Sequence, residues 1–169
     1  MAKPFLILES IDARKATVAD TSRATTIARL VIPPIRFKTT TRTAGGGVMD
    51  IDYHQNRLQP IEPAMMINGF DEDLIPGEKE QWTLAAQLRQ RKSGAFVPVR
   101  IEVEGVIVEW TPDEADPAQF NGCNAIMREV THFELIIDNK EWFYADEEER
   151  EIRRMGKSLM SGRRAALGS

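Results

Sequence analysis

The stretch from Phe96 to Trp110, FVPVRIEVEGVIVEW, decides the fold. From Val97 to Val103 the odd positions are apolar: Val97, Val99, Ile101 and Val103. The even positions carry Pro98, Arg100, Glu102 and Glu104. Such alternation puts one set on each face of a pleated strand. After Gly105 the phase changes, and Val106, Val108 and Trp110 alternate with Ile107 and Glu109. A glycine at a phase change predicts a bulge or sharp bend. About fifteen residues span roughly 50 Å as a strand, against a mean strand of about five or six residues. The expectation is a long, bent strand in an antiparallel protein.

Composition bounds what surrounds that strand. The chain has 169 residues, 42% apolar and 28% charged, with a formal charge of -4. That suits a globular protein with a real core. The acidic balance argues against nucleic acid as a tight partner, since phosphate binding needs a positive surface. The single Cys123 excludes an intrachain disulfide and reads as a small buried hydrophobe. No apolar run approaches the roughly 20 residues of a membrane helix. The initial PFLIL is too short for a signal-peptide core. Folding in a cytoplasm, with no membrane partner, is expected.

The remaining segments read as follows. Phe5–Leu8 is a candidate edge strand, and 12–26 has no clean period and reads as an extended arm or loop. Thr26–Ile32 is β-branched and ends at Pro33-Pro34, which donate nothing to a ladder. Ile35–Thr40 is extended, and Thr39–Gly47, TTTRTAGGG, is a glycine-rich stretch leading to a strand in VMDIDYH. A phosphate cradle would need those glycines to open a helix with a GK[ST] signature, which is absent. A long hairpin loop fits better, and loops this long are usually functional. Gln55–Pro63 reads as irregular, Ala64–Ile67 as a strand, Asn68-Gly69 as a turn and Phe70–Ile75 as one helical turn capped by Asp71. Glu80–Arg91 has period two through Trp82, Leu84, Ala86 and Leu88, although its residues also suit a helix; the strand reading is adopted. Thr111–Gly122 is a proline-bearing acidic loop. Ala125–Ile137 is a second long strand with Met127, Thr131, Phe133, Leu135 and Ile137 on one face, turning at Asp138-Asn139-Lys140 into a strand at 141–144. Asp146–Met160 is charge-dense. Ile152, Met155 and Leu159 at helical spacing, with Asp146–Arg150 and Glu149–Arg153 at i,i+4, predict a helix there, with Gly156 as its weak point.

No catalytic constellation emerges. His54 and His132 lack spaced partners for a metal, and no nucleophile motif surrounds Cys123. The three tryptophans sit on alternating strands and read as packing residues. The chain is expected to be no enzyme and to hold no cofactor or metal.

Several pieces nevertheless line up with a known family. They are LVIPPI at 30–35 followed by FKT, AGGG at 44–47, NGFD at 68–71, QWTL at 81–84 running to Leu88-Arg89, and PVRIE at 98–102 with Gly105. To these add HFELIID at 132–138 and the terminal RRAALG at 163–168. In order and spacing the chain resembles, over roughly 27–169, the major tail tube protein of contractile-tailed bacteriophages and R-type pyocins. The resemblance implies one domain over 1–169, mainly β, an antiparallel β-sandwich or half-barrel with a short helix. Within it lie a long inter-ring hairpin loop at 39–57 and a C-terminal segment at 145–169, of which 146–160 departs from the family pattern, as does the N-terminal arm read at 1–26. The resemblance implies six copies in a ring, and rings stacked into a continuous β-barrel tube whose lumen passes DNA.

The hairpin is similar in position to the loop that reaches the next ring. Thr41, Arg42, Gly45, Gly46, Gly47 and Met49, with Arg163 and Arg164 of the terminal motif, are then the expected contacts between rings or subunits. Lumen-facing candidates are Arg100, Glu102, Glu104, Arg128, His132 and Glu134, charged side chains on strands whose faces are mixed, as in a water-filled barrel. Acidic groups there would repel phosphates and let DNA slide. The implied partners are further copies of the chain, a tail sheath protein, baseplate and tail terminator proteins, and a tape measure protein and DNA passing without specific binding. The implied location is the virion tail, and the host cytoplasm during assembly. A type VI secretion-like tube protein and a small β-rich ligand-binding module are the alternatives.

Overall fold

Alternation makes Phe96–Pro112 a single strand, and the rest of the chain is laid against it. The structure, a computed structural model, describes residues 5–113 and 122–167. In chain order these form β1 (Leu6–Lys15), a 3-10 turn (Ala16–Val18), β2 (Ile27–Val31), β3 (Phe37–Arg42), β4 (Ile51–Leu58), β5 (Ala64–Ile67) and β6 (Lys79–Gln90). Then come β7 (Phe96–Pro112), β8 (Cys123–Ile137), β9 (Lys140–Asp146), β10 (Glu151–Arg154), β11 (Lys157–Ser158) and the helix α1 (Ser161–Leu167).

The protein is mainly antiparallel β, with one short helix among the described residues. A nine-stranded sheet runs β1-β6-β7-β8-β9-β10-β11, with β5 joined to β8 and β2 joined to β5. β3 and β4 form a separate two-stranded ribbon. The sheet forks at β8. One edge of β8 follows β7 throughout, while the other takes β5 at Cys123–Ile126 and β9 at His132–Ile137. Among the described residues both sheets are open, and neither closes into a barrel.

The apolar stripes of β6, β7 and β8 meet in one core. Trp82, Leu84, Ile101, Val103, Met127 and Phe133 are almost wholly buried there. Cys123 is buried too, and that burial pushes its thiol pKa upward. Arg23 is also buried, its guanidinium 5.0 Å from the Trp82 ring centre and paired with Asp71 and Asp73. A buried cation needs such partners, because an unpaired one is strongly disfavoured. The Asp71 segment is a turn rather than a helix; Asp71 Oδ1 accepts from the Asp73 N–H at 3.0 Å.

Four further expectations change. The phase of β7 does not break at Gly105: Val99, Ile101, Val103 and Ile107 are all buried in one phase. The break comes at Val108, where Ile107 and Glu109 are opposed by the consecutive pair Met127 and Ile126. At Gly105 it is β8 that carries extra residues, with Glu129 at φ 50. The glycine is there for clearance, since a Cβ would lie 2.8 Å from the Arg128 carbonyl oxygen.

Residues 12–15, expected within an arm, continue β1 and pair with β6. The hairpin expected at 39–57 is the β3–β4 ribbon with 43–50 as its connection, but Gln55–Leu58, expected to be irregular, continues β4. Finally, 146–160 is no helix. It holds a turn, then β10 and β11 joined through Met155 (φ 50) and Gly156 (φ 73). Two successive positive φ values mark a tight hairpin turn, so Gly156 signals a turn and not a flawed helix. The helix lies later, at 161–167. Within the expected acidic loop, Asp113 donates to the Gly122 carbonyl at 2.9 Å; residues 114–121 lie outside the described residues, as does Gly168 of the terminal motif.

Gly105→Ala should therefore lower stability by about 2 kcal/mol, as overpacking against backbone does. Gly46→Ala, where a Cβ meets nothing within 4 Å, should leave the urea midpoint nearly unchanged.

Candidate functional site

The face of the sheet opposite Trp82 and Phe133 is polar, and strand register arranges it in rows. One row reads Arg14, Thr83, Glu102, Glu134, Tyr144 and Arg153 across β1, β6, β7, β8, β9 and β10. The next reads Gln81, Glu104, His132 and Asp146. A third holds Ala85, Arg100, Ile136 and Glu141. Five of the six residues expected to face a lumen, Arg100, Glu102, Glu104, His132 and Glu134, thus share one patch. Arg128 lies past the Glu129 irregularity, opposite Val106, and pairs with Glu62 at 3.1 Å.

Most charges on this face are matched. Arg100 pairs with Glu102 at 2.5 Å and Lys79 with Glu104 at 2.5 Å. Arg153 holds Glu141 at 2.7 Å and lies 3.5 Å from the Tyr144 ring centre. The Arg153 hydrogen bond keeps Glu141 below the ordinary carboxylate range. His132 Nδ1 is 2.9 Å from Asp146 Oδ2. Burial pulls the Asp146 pKa upward, but hydrogen bonds from the Glu149 N–H and from His132 outweigh it and hold the group low. Tyr144, buried and donating to Glu149 at 2.8 Å, has its pKa pushed up to about 12.

Tyr144, Asp146, Arg153 and Glu141 were not among the site residues expected from sequence, where Asp146 and Arg153 entered only as ion-pair members of a helix. The turn at Asp138-Asn139 predicts the strand of Glu141 and Tyr144, but an extra residue at Trp142 shifts the register of β9. Counting back from an unbroken two-residue turn puts Asp146 on the wrong side.

The second feature is the ribbon. Thr41 and Arg42 end β3, and Gly45, Gly46, Gly47 and Met49 lie in the connection beyond them. Nothing crowds Gly45 or Gly46, while Val48 is 96% and Met49 68% exposed. The ribbon's base is tethered. Phe37 packs edge-on against Phe143 at 6.4 Å, and Asn56 Nδ2 donates to the Leu159 carbonyl at 2.9 Å. Arg163 is exposed on α1; Arg164 lies on the same helix.

The sequence profile of the family described as phage tail tube protein FII matches residues 9–168. No curated protein sequence matches the chain. Among solved structures the fold is similar to a chain of the "anti-feeding prophage (AFP) baseplate, 6-fold symmetrised", seen by cryo-electron microscopy. The TM-score is 0.51 with 8% identity, over 80% of this chain and 97% of that one. At that identity the likeness is one of fold.

Because Glu141 titrates below its ordinary value of 4.5, its ion pair adds stability that is full at neutral pH and is lost as pH falls through that value toward the native one. Glu141→Gln should lower the urea midpoint at pH 7, and the gap to the unchanged chain should narrow steadily from pH 5 to pH 3.

Proposed function

The chain belongs to the phage tail tube protein FII family, and we propose on that footing that its tail-tube role is that of a ring-forming subunit of a hollow conduit. A structural role in a tail tube follows from membership. In the proposal, residues 1–169 act as one domain, six copies close into a ring, and rings stack inside a contractile sheath. The observation that carries this reading is the charged face shared by β6, β7, β8 and β9. A sheet with a dry face and a broad wet one suits the wall of a water-filled bore.

Two further observations support it. The outer edge of β1 has no strand partner among the described residues, although it is ten residues long. Such an edge invites pairing with another chain, and Phe5 and Leu8 stand exposed there. The ribbon presents Val48, Met49 and Ile51 to solvent, an apolar tip suited to the adjoining ring. Thr41, Arg42, Gly45, Gly46, Gly47 and Met49 would make that contact, and Arg163 and Arg164 would contact a neighbouring subunit.

Arg100, Glu102, Glu104, Arg128, His132 and Glu134 would line the bore. The ion pairs Arg100–Glu102 and Lys79–Glu104 temper the acidic repulsion expected from sequence. A wall of matched charges offers phosphates no array of free cations to grip, so DNA and a tape measure protein would pass without specific binding. The remaining partners in the proposal are the sheath, baseplate and terminator proteins. Its place is the virion tail, reached from the host cytoplasm.

Negative-stain microscopy of the purified chain tests the assembly: rings or tubes are expected, and a monomer that persists at high concentration would refute it. Deleting residues 44–47 should leave the fold and the rings intact but abolish long tubes. Tubes of ordinary length from that variant would remove the ribbon from the inter-ring contact.

A further inference from the structure

Glu102 and Glu134 face each other directly across β7 and β8. Like charges so placed destabilise a ladder. Arg100 engages Glu102 through Oε1, leaving its second oxygen. Glu134 has no ion-pair or hydrogen-bond partner among the described residues, and all of its nearest cross-strand neighbours are acidic or neutral. Two residues back along β8, His132 shares the same face. Its Nδ1 is held by Asp146 at 2.9 Å, so Nε2 is the nitrogen left to act. One donor atom from each of Glu102, His132 and Glu134 falls within 4.8 Å of the others, and all three residues are half-buried.

We propose that Glu102, His132 and Glu134 bind a first-row divalent transition metal, zinc being the ion that fits best, with Asp146 orienting His132. The donor set is chemically apt. One imidazole with two carboxylates suits zinc, iron or manganese, whereas calcium and magnesium take oxygen alone. A carboxylate on the far nitrogen of a ligating histidine is the usual outer support of such sites; it fixes the ring and raises the basicity of the bound nitrogen. With metal–ligand bonds of about 2.0–2.1 Å, the donors around zinc stand about 3.3 Å apart. The donors now lie within 4.8 Å of one another, and closing to that spacing falls to the glutamates, whose terminal torsions are broad. With Arg100 held on Glu102 Oε1, the ion would take the second Glu102 oxygen together with the unmatched Glu134, and so clasp β7 to β8 at the row where they carry like charge. Water takes the fourth position. The site depends on one chain only and stands whether or not this face lines a bore.

The test uses the full chain, free of any histidine tag and stripped with a chelator, titrated with zinc chloride by calorimetry. One ion per chain is expected. Affinity should fall at least about tenfold in His132→Gln and Glu134→Gln, and about ten- to a hundredfold in Asp146→Asn. Glu109→Gln, at an exposed carboxylate further along β7 from Glu102, should bind as the unchanged chain does. Glu134→Gln keeps side-chain shape and removes the charge opposition. Its melting temperature without metal should match or exceed that of the unchanged chain, and zinc should no longer raise it. Absence of saturable binding up to millimolar zinc overturns the proposal. So does undiminished binding in both His132→Gln and Glu134→Gln, which would put the ion elsewhere.

Discussion

The register between β7 and β8 is the constraint on which the rest depends. Val99, Ile101 and Val103 meet Ile137, Leu135 and Phe133 on the dry side. In the same pairing Arg100, Glu102 and Glu104 meet Ile136, Glu134 and His132 on the wet side. Strand side chains repeat every two residues, so a slip of β7 by one would exchange its faces and bury Arg100, Glu102 and Glu104. Burying charge without partners is far more unfavourable than exposing a few valines. The core thus fixes the register, and the register composes the charged face. Neither can be altered alone.

Irregularities in that ladder shape the molecule as much as its regular part does. At Glu129 and at Val108 the two strands fall out of step and back again. The bend lets the two halves of β8 find different partners, β5 and β9. Gly105 admits the close approach that the bend requires. On the far side of the core, Arg23 ties the segment after β1 to the Asp71 turn over Trp82. A buried cation of this kind adds little net stability but strongly penalises any arrangement that separates it from its carboxylates. It therefore selects among packings rather than strengthening one.

How much of this the sequence revealed follows from the range of each signal. The long strands were legible because alternation in Val97–Val103 and in Trp82–Leu88 is local and needs no partner. The polar face was legible for the same reason, as the complement of the stripe. The segment 146–160 misled because Ile152, Met155 and Leu159 happen to fall at helical spacing. Tertiary contacts decide otherwise. Ile152 is buried against the core, Glu149 accepts from Tyr144, and Arg153 crosses to Glu141 instead of pairing along a helix. The position of the β7 phase break was hidden because bulges are set by the partner strand. The convergence of Glu102, His132 and Glu134 was hidden as well, since the ligands come from two strands and motif spacing sees only one.

The ribbon of β3 and β4 has hardly any interior of its own. Apart from Phe37 and Leu58 at its base, its residues are exposed. Two strands without a third layer are marginal in water. If docking supplies that layer, free chains gain little from meeting one another, while a preformed platform offers immediate reward. Polymerisation would then show a lag that seeds abolish, and the length reached would answer to the template and not to how much protein the solution holds.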